Sequence, residues 1–295
     1  MKAPAFTYCR PSTLEEACEL LAGSHGDGRI LAGGQSLMAA LNLRLSAPAV
    51  LIDINRIDAL RGIELSDDGT QVVVRALARH AEVSASSLVA EHVPLVAMAM
   101  QHVAHPAVRN RGTTCGSLAL ADPSAEMPAC AVALQATLVL QGPSGTRRHV
   151  PADEFFLGLY ETARREDEIL AEVHWPYHAA NERFGFDELS RRHGDFAMVG
   201  VAVRARVSGH VIDDLRLVVF GTDPAPVVSA SAARLAQGQS WSTELGREIA
   251  DQAVQELSPD DNLFGTPDTK RRQAAALIRR VLARTLASLE EDVHA

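Results

Sequence analysis

The sequence predicts an α+β protein with two domains, over about 1–176 and 177–295. Two observations lead to this fold class. In the first part, short apolar strands are interspersed with helical patterns and hairpin signals. In the second part, a pair of strands is followed by three helical patterns, which is typical of a small domain with its own core. At 295 residues the chain is long enough for both.

The first 55 residues predict a compact β/α subdomain. A hydroxyl followed by an acidic residue within Ser12–Glu16 indicates the start of a helix, and apolar residues then recur at helical spacing. Arg29–Ala32 has the composition of a short buried strand that leads into a glycine-bearing loop. Ser36 is a candidate N-cap for a helix over 37–45, and Ala49–Ile54 is a second strand.

Residues 56–176 predict a second subdomain that is richer in hairpins. Asp67-Asp68-Gly69 and Gly142–Gly145 each lie between two apolar strands, which is the usual signal of a β-hairpin. The remaining elements are helices near 79–91, 94–104 and 128–134 and a strand over 168–176.

The carboxyl-terminal part begins after a polar segment that follows a proline. We interpret 177–182 as a linker, and Phe196–Val207 and Val211–Phe220 as paired strands. Helices over 229–237, 242–257 and 267–290 complete the second domain.

Composition limits the function. The formal net charge of -9 argues against a nucleic-acid-binding protein, which would usually carry a basic surface. No apolar run is long enough to span a membrane and the first residues lack a secretory signal, so we expect a cytoplasmic protein. The four cysteines form no Cys-x-x-Cys pair, and His102 and His105 have no third ligand nearby. We therefore predict no metal site on this chain.

Two loops of small residues carry the strongest functional signal. Glycines and hydroxyls allow backbone N–H groups to approach a phosphate without a Cβ in the way. Two such loops predict a long ligand with a diphosphate in its middle, and neither has the pattern of a Walker loop or of Gly-x-Gly-x-x-Gly. The loops are Leu31-Ala32-Gly33-Gly34-Gln35-Ser36-Leu37 and Gly112-Thr113-Thr114-Cys115-Gly116-Ser117.

The loops and their flanks resemble the medium subunits of the molybdenum hydroxylases, which include carbon monoxide dehydrogenase and bacterial xanthine-dehydrogenase-like enzymes. The first signature of that family, Ala-Gly-Gly-His/Gln-Ser, is similar to Ala32–Ser36. Its second signature is similar to Arg109–Ser117, followed by Ala121-Asp122-Pro123. A third stretch, Arg192–Ala197, is similar to Arg-x-Gly-Asp-Phe/Tyr-Ala. The three motifs have the order and spacing of the family.

The resemblance implies a FAD-binding domain of the p-cresol-methylhydroxylase (PCMH) type, followed by a smaller α/β domain of the carbon monoxide dehydrogenase flavoprotein type. It also implies non-covalent FAD, with the diphosphate on the two loops. Glu126 stands where the family has an Asp that helps to hold the cofactor. By the same resemblance, Leu170 lies beside the flavin ring, Phe196 flanks it, and Val103 lines the site. From the residues alone, Phe196 could equally be a core residue.

Two departures from the family pattern affect these expectations. Cys115 replaces a glycine of the second loop, and a cysteine can donate its N–H there only if the loop needs no positive φ. Glu188 stands where relatives often carry a lysine, so no basic role is transferred to it.

No nucleophile–base pair or paired carboxylates indicate a substrate-converting site, so we predict no catalytic residues on this chain. The resemblance implies an oxidoreductase subunit that carries electrons. A large molybdopterin-binding subunit would hold the molybdenum cofactor, a small subunit would hold 2Fe-2S clusters, and the complex would be a dimer of heterotrimers. The alternatives are a stand-alone flavin-dependent oxidoreductase of the same fold and a non-catalytic module that has lost its flavin.

Overall fold

The computed structural model of the chain describes residues 2–263, 265–287 and 289. It begins with a parallel three-stranded sheet in the order β1-β3-β2. This sheet confirms the β/α unit predicted for the first 55 residues. The elements are β1 (Thr7–Cys9), α1 (Leu14–Gly23), β2 (Gly28–Leu31), α2 (Leu37–Asn42) and β3 (Val50–Asp53).

The ends of α1 and α2 differ in how well the sequence predicts them. The Thr13 hydroxyl accepts a hydrogen bond from the Glu16 N–H, which is the predicted cap of α1. Ser36 stands at the N-cap of α2 but makes no capping hydrogen bond, and α2 ends at Asn42. Strand β1 was not predicted, because it forms only by pairing with the distant Val50–Ile52.

An antiparallel five-stranded sheet follows in the order β4-β5-β10-β6-β7. Both predicted hairpins are confirmed, and the strand predicted over 168–176 lies between them as the central strand. The strands are β4 (Ile63–Leu65), β5 (Gln71–Arg75), β6 (Thr137–Gln141), β7 (Arg147–Pro151) and β10 (Ile169–Pro176). A separate small hairpin consists of β8 (Phe156–Gly158) and β9 (Glu161–Thr162).

Two helices predicted in this first lobe, residues 2–176, do not run to their predicted length. The helix expected over 79–91 is interrupted at Ser86, whose extended backbone and hydroxyl cap the next helix. The helix expected over 94–104 ends at Ala99. The elements are α3 (His80–Ala85), α4 (Ser87–His92), α5 (Pro94–Ala99), α6 (Pro106–Arg109), α7 (Thr114–Leu120), α8 (Glu126–Leu134) and α9 (Ala152–Phe155).

The second lobe, residues 182–287, is an antiparallel sheet β11-β12-β13-β14 followed by helices. The paired strands and three helices predicted from the sequence are confirmed, whereas β11 was not predicted and begins where we expected a linker. The end of the helix predicted to residue 290 lies outside the described residues. The elements are β11 (Glu182–Leu189), β12 (Val199–Ser208), β13 (Val211–Phe220), β14 (Val227–Val228), α10 (Ala230–Ala236), α11 (Thr243–Ala253) and α12 (Pro267–Leu286).

The two lobes share a core. One face of the second-lobe sheet packs against α10, α11 and α12, and the other face packs against α5 and α8 of the first lobe. Ala202, Val218 and Phe220 therefore belong to the apolar core of the first lobe. In the part of the chain that the structure describes, no helix is both long and apolar enough to cross a membrane.

Candidate cofactor-binding site

The two glycine-bearing loops touch each other. A Cβ placed on Gly33 would lie 2.6 Å from the carbonyl oxygen of Arg111 and 2.8 Å from the Cα of Gly112, so only glycine fits there. Gly34 has a φ of +73°, a conformation that side chains rarely adopt. We call the contact between Gly33 and residues 111–113 the loop joint. The convergence expected from the sequence is present, while the role of these residues in holding a cofactor stays a prediction.

The second loop is fixed to the segment that follows β5. The His80 N–H donates to the Gly112 carbonyl at 2.9 Å, and the Thr114 N–H donates to the Ala78 carbonyl at 3.3 Å. The Thr113 hydroxyl accepts from the Gly116 N–H at 3.1 Å and caps α7. Thr113 and Thr114 are buried, and these hydrogen bonds fix the position of the second loop's backbone.

The first loop presents unpaired donors. The N–H groups of Gly33, Gly34 and Gln35 donate no hydrogen bond to any residue that the structure describes. Gly33 and Gly34 are half-buried, and Gln35 is exposed. Consecutive unpaired N–H groups beside a glycine turn form a concavity that suits an anion. The loop joint therefore fits the diphosphate that the sequence predicts.

Cys115 does not disturb this arrangement. It is the second residue of α7, and it is not among the residues with positive φ. Its sulfur lies 3.5 Å from the carbonyl oxygen of Val74 in the core, and burial raises the pKa of the thiol far above its usual range. The substitution of glycine by cysteine thus fills core space and leaves the backbone of the loop helical.

Two buried carboxyl groups, one from each lobe, interact electrostatically where the lobes meet. Glu126 is the first residue of α8, and burial raises its pKa to about 7. Glu188 lies on β11, where burial, together with the charges of Glu126 and Asp187, raises its pKa to about 8. The nearest ring nitrogen, Nδ1 of His102, is 3.8 Å from Oε1 of Glu188, and burial lowers the pKa of His102. At neutral pH, Glu188 is therefore largely protonated and His102 neutral.

The same region contains polar atoms without a partner. Oε2 of Glu188 and Oγ1 of Thr222 are buried and make no hydrogen bond within the described residues. Thr222 is brought to the first lobe by the neighbouring Gly221, whose N–H donates to the Pro123 carbonyl at 2.8 Å. A buried polar atom left unpaired costs roughly 1–3 kcal/mol. We call the region formed by Glu126, Glu188 and Thr222 the lobe junction. Its unpaired oxygens suit a polar ligand.

The other predicted site residues occupy three different environments. Leu170, on β10, and Val103, after α5, are buried in the first core. Phe196 is 56% exposed in the loop between β11 and β12, so the interpretation of Phe196 as a core residue is wrong. Arg191, in the same loop, donates to the Leu263 carbonyl at 3.3 Å. Ser36 and Gly116 are exposed, and Leu31, Ala32, Leu37 and Ser117 are half-buried.

Sequence reasoning missed two residues of this site. Asn55 and Arg79 are hydrogen-bonded to the two loops, yet neither belongs to a motif. The only signal in the sequence is that Asn55 directly follows an apolar strand that ends beside the first loop.

Comparisons with known proteins agree with this geometry. Residues 4–178 match the family described as FAD binding domain in molybdopterin dehydrogenase, and residues 184–285 match the CO dehydrogenase flavoprotein C-terminal domain. The chain is 36% identical to the carbon monoxide dehydrogenase medium chain of Hydrogenophaga pseudoflava, covering 96% of this chain and 97% of that one.

Solved structures give the same result. A carbon monoxide dehydrogenase from H. pseudoflava that lacks the Mo-pyranopterin moiety of its molybdenum cofactor contains a chain that superposes with a TM-score of 0.94 at 37% identity. The match covers 97% of this chain and 99% of that one. For quinoline 2-oxidoreductase from Pseudomonas putida 86, the TM-score is 0.92 at 34% identity, covering 98% and 99%.

The chain belongs to the FAD-binding medium subunits of the molybdenum hydroxylase family. It is a flavoprotein subunit of an oxidoreductase, its cofactor is FAD, and its fold is the PCMH-type FAD-binding domain followed by the smaller flavoprotein carboxyl-terminal domain.

Proposed function

We propose that this chain carries electrons within a multi-subunit molybdenum hydroxylase. It accepts them from 2Fe-2S clusters on a partner subunit and passes them to an external acceptor. The observation that supports this best is the loop joint, which places unpaired N–H groups where a diphosphate would lie. FAD, when bound, supplies the redox chemistry, and the protein supplies binding, orientation and electrostatics.

Each group of residues has a proposed task in holding the cofactor. Residues 31–37 and 112–117 hold the diphosphate through their backbone. Glu126 binds a polar group of the cofactor from the lobe junction. Leu170 and Val103 provide an apolar wall, and the exposed Phe196 covers one side of the flavin ring. Glu188 and Thr222 have free hydrogen-bonding capacity at the lobe junction.

The relatives and the positions of the cysteines support the proposed partner subunits. The relative from H. pseudoflava is named as a medium chain, and this chain spans nearly all of it. The four cysteines lie apart from one another: Cys9 is half-buried in β1, and Cys18, Cys115 and Cys130 are buried in three different helices. We therefore assign the clusters to a small 2Fe-2S subunit and the molybdenum cofactor to a large subunit, in a dimer of heterotrimers.

The test is to purify the full chain alone and with the subunits encoded beside it. We expect one FAD per chain, visible as the flavin absorbance band and released on denaturation, and co-purification with a large and a small subunit. Reduction of the flavin by an organic substrate should require the complete complex. A purified chain without flavin would overturn the cofactor assignment, and full activity without partner chains would favour the stand-alone oxidoreductase.

A further inference from the structure

The two loops are connected by more than the contact at Gly33. Asn55 lies just after β3, beside the end of the first loop. Its side-chain Nδ2 donates to the carbonyl oxygen of Ala32 at 2.8 Å and to that of Leu31 at 3.3 Å. The same group donates to Oδ1 of Asp53 at 2.7 Å. The amide of Asn55 therefore fixes the backbone of the first loop to the end of its own strand.

Arg79 makes the corresponding connection to the second loop. Its Nη1 donates to the carbonyl oxygen of Arg111, and its Nη2 donates to Oδ1 of Asn55 at 2.6 Å. The backbone of Arg79 pairs with Thr113 as an isolated β-bridge. A continuous chain of hydrogen bonds thus runs from Ala32 through Asn55 and Arg79 to Arg111.

These hydrogen bonds can all form in only one orientation of the Asn55 amide. Its NH₂ group faces three oxygens, those of Leu31, Ala32 and Asp53, while its oxygen faces the Arg79 guanidinium. Reversing the amide would set oxygen against oxygen and nitrogen against a cation. Because the partners fix the amide, neither aspartate nor leucine, which have the same shape, can replace its function.

We propose that Asn55 and Arg79 are positioning residues that hold the two diphosphate-binding loops at a fixed separation. Both side chains donate to backbone carbonyl groups, and the N–H groups of Gly33, Gly34 and Gln35 take no part in these bonds. Carbonyl oxygens near a diphosphate would repel it, and these hydrogen bonds engage three of them, those of Leu31, Ala32 and Arg111. This inference rests on the proposed function, because it assumes that the loops hold the FAD diphosphate.

The test uses the full chain, stripped of flavin, and titrates it with FAD while the quenching of flavin fluorescence is recorded. We expect Asn55→Ala and Arg79→Ala each to raise the Kd for FAD about tenfold or more, since each loses two or more hydrogen bonds at the joint. Arg79→Lys has one donor group in place of a fork and should fall between the wild type and Arg79→Ala.

Arg61→Ala is the matched control. The Nη2 of Arg61 donates to the backbone carbonyl of Asn55 at 2.6 Å, and Arg61 forms no hydrogen bond or ion pair with either loop among the described residues. We expect its Kd for FAD to stay within about twofold of the wild type. In the variants with weak binding, the reduction potential of the flavin that remains bound should be unchanged. The reason is that the hydrogen bonds of Asn55 and Arg79 lie at the loop joint and not at the lobe junction. A general folding defect would shift both quantities.

The outcomes separate the two hypotheses. If the wild type binds FAD and Asn55→Ala and Arg79→Ala bind it equally well, the positioning role is wrong and the proposed function stands. If Arg61→Ala weakens binding as much as they do, the effect is structural and the positioning role is also wrong. If the wild type itself binds no FAD, the proposed function fails first. Should Asn55→Ala not fold, the comparison of Arg79→Lys with Arg61→Ala decides the question.

Discussion

The loop joint and the lobe junction are two contacts built in opposite ways. The loop joint consists of backbone groups brought together by glycine, and two side chains, Asn55 and Arg79, are hydrogen-bonded to each other and to carbonyl groups there. The lobe junction contains two buried carboxyls, and Glu188 and Thr222 each leave a buried oxygen unpaired. The first contact is held by hydrogen bonds within the chain, and the N–H groups that it leaves unpaired are half-buried or exposed. The second contact leaves its unpaired oxygens fully buried, so it costs folding free energy until a ligand pairs with them.

This difference separates two contributions to cofactor binding. A site that is already ordered before binding needs no further ordering when the ligand arrives, so it gains affinity. A site with unpaired polar atoms gains stability from the ligand instead, because ligand binding to the folded state raises the free energy of unfolding. We therefore expect FAD to be held by the loop joint and to stabilise the lobe junction.

The largest effect should come from Gly33→Ala. The added methyl group would lie 2.6 Å from the Arg111 carbonyl oxygen and would force the loops apart. We expect the purified chain to lose FAD, with the Kd raised at least about a hundredfold. The measurement is the flavin content and the titration described above. Gly23→Ala is the control, since a Cβ there meets nothing within 4 Å, and it should bind FAD normally.

Arg216→Ala should weaken the contact between the two lobes. Nε of Arg216, on β13, donates to the Val132 carbonyl at 2.8 Å, and its Nη2 pairs with Asp153, both in the first lobe. We expect a loss of roughly 1.5–3 kcal/mol in the free energy of unfolding, measured with urea. Arg206→Ala removes an exposed pair with Asp214 within one sheet and should cost at most about 1 kcal/mol. Equal losses in both variants would contradict this prediction.

Glu188→Gln should change how stability depends on pH. The pKa of Glu188 is raised from an ordinary value of 4.5 to about 8, so between these values the folded chain holds a proton that the unfolded chain has released. Its free energy of unfolding therefore falls as the pH rises through this window. Glutamine removes the ionisation. At about 1.4 kcal/mol per pKa unit, the variant should be more stable than the wild type by roughly 4 kcal/mol at pH 8, and by about 1 kcal/mol or less at pH 5.

The measurement is the Tm of the flavin-free chain between pH 5 and pH 9. Glu172→Gln serves as the opposite case, because the hydrogen bond from His174 lowers the pKa of Glu172 despite its partial burial. That variant should be less stable than the wild type at neutral pH. A constant difference in Tm between Glu188→Gln and the wild type across this range would disprove the prediction.

The smallest effect on the site is expected from Cys115→Gly, which restores the residue of the family pattern. The Kd for FAD should stay within about twofold of the wild type, because Cys115 already has a helical backbone. The free energy of unfolding should fall by about 1–2 kcal/mol through the loss of core volume and the entropy of glycine. A tenfold change in FAD affinity would show that Cys115 acts on the loop joint directly.

Local signals allowed much of the fold to be predicted. The cap at Thr13, the turn at Asp67-Asp68-Gly69 and the three carboxyl-terminal helices depend on neighbours in the sequence, and they are confirmed. Strand β1 was not predicted because its partner strand is distant in the sequence. Strand β11 was not predicted because its polar start resembles a linker. The predictions of long helices over 79–91 and 94–104 were wrong because apolar residues continue at helical spacing past Ser86 and Ala99, whereas the helical backbone does not.

The sequence predicted the backbone loops of the site but not the side chains outside the motifs that are hydrogen-bonded to those loops. Gly33 and Gly112 belong to motifs because no Cβ fits at Gly33 and a Cβ at Gly112 would crowd His80 and Val108, so the sequence shows both glycines directly. Asn55 and Arg79 act through three-dimensional neighbours, and other residue types could occupy the same positions in a differently connected relative. Glu188 was noticed only as a departure from the family pattern, and its burial and unpaired oxygen required the structure.

The shared core of the two lobes has a consequence for protein engineering. The two family matches end at residue 178 and begin at residue 184, which invites the separate expression of each half or the exchange of halves between relatives. A cut there would uncover Phe184, Phe186 and Phe220 on one side and α5 and α8 on the other. Chimeric enzymes that keep both surfaces from one parent should stay in solution, whereas those that mix them should aggregate.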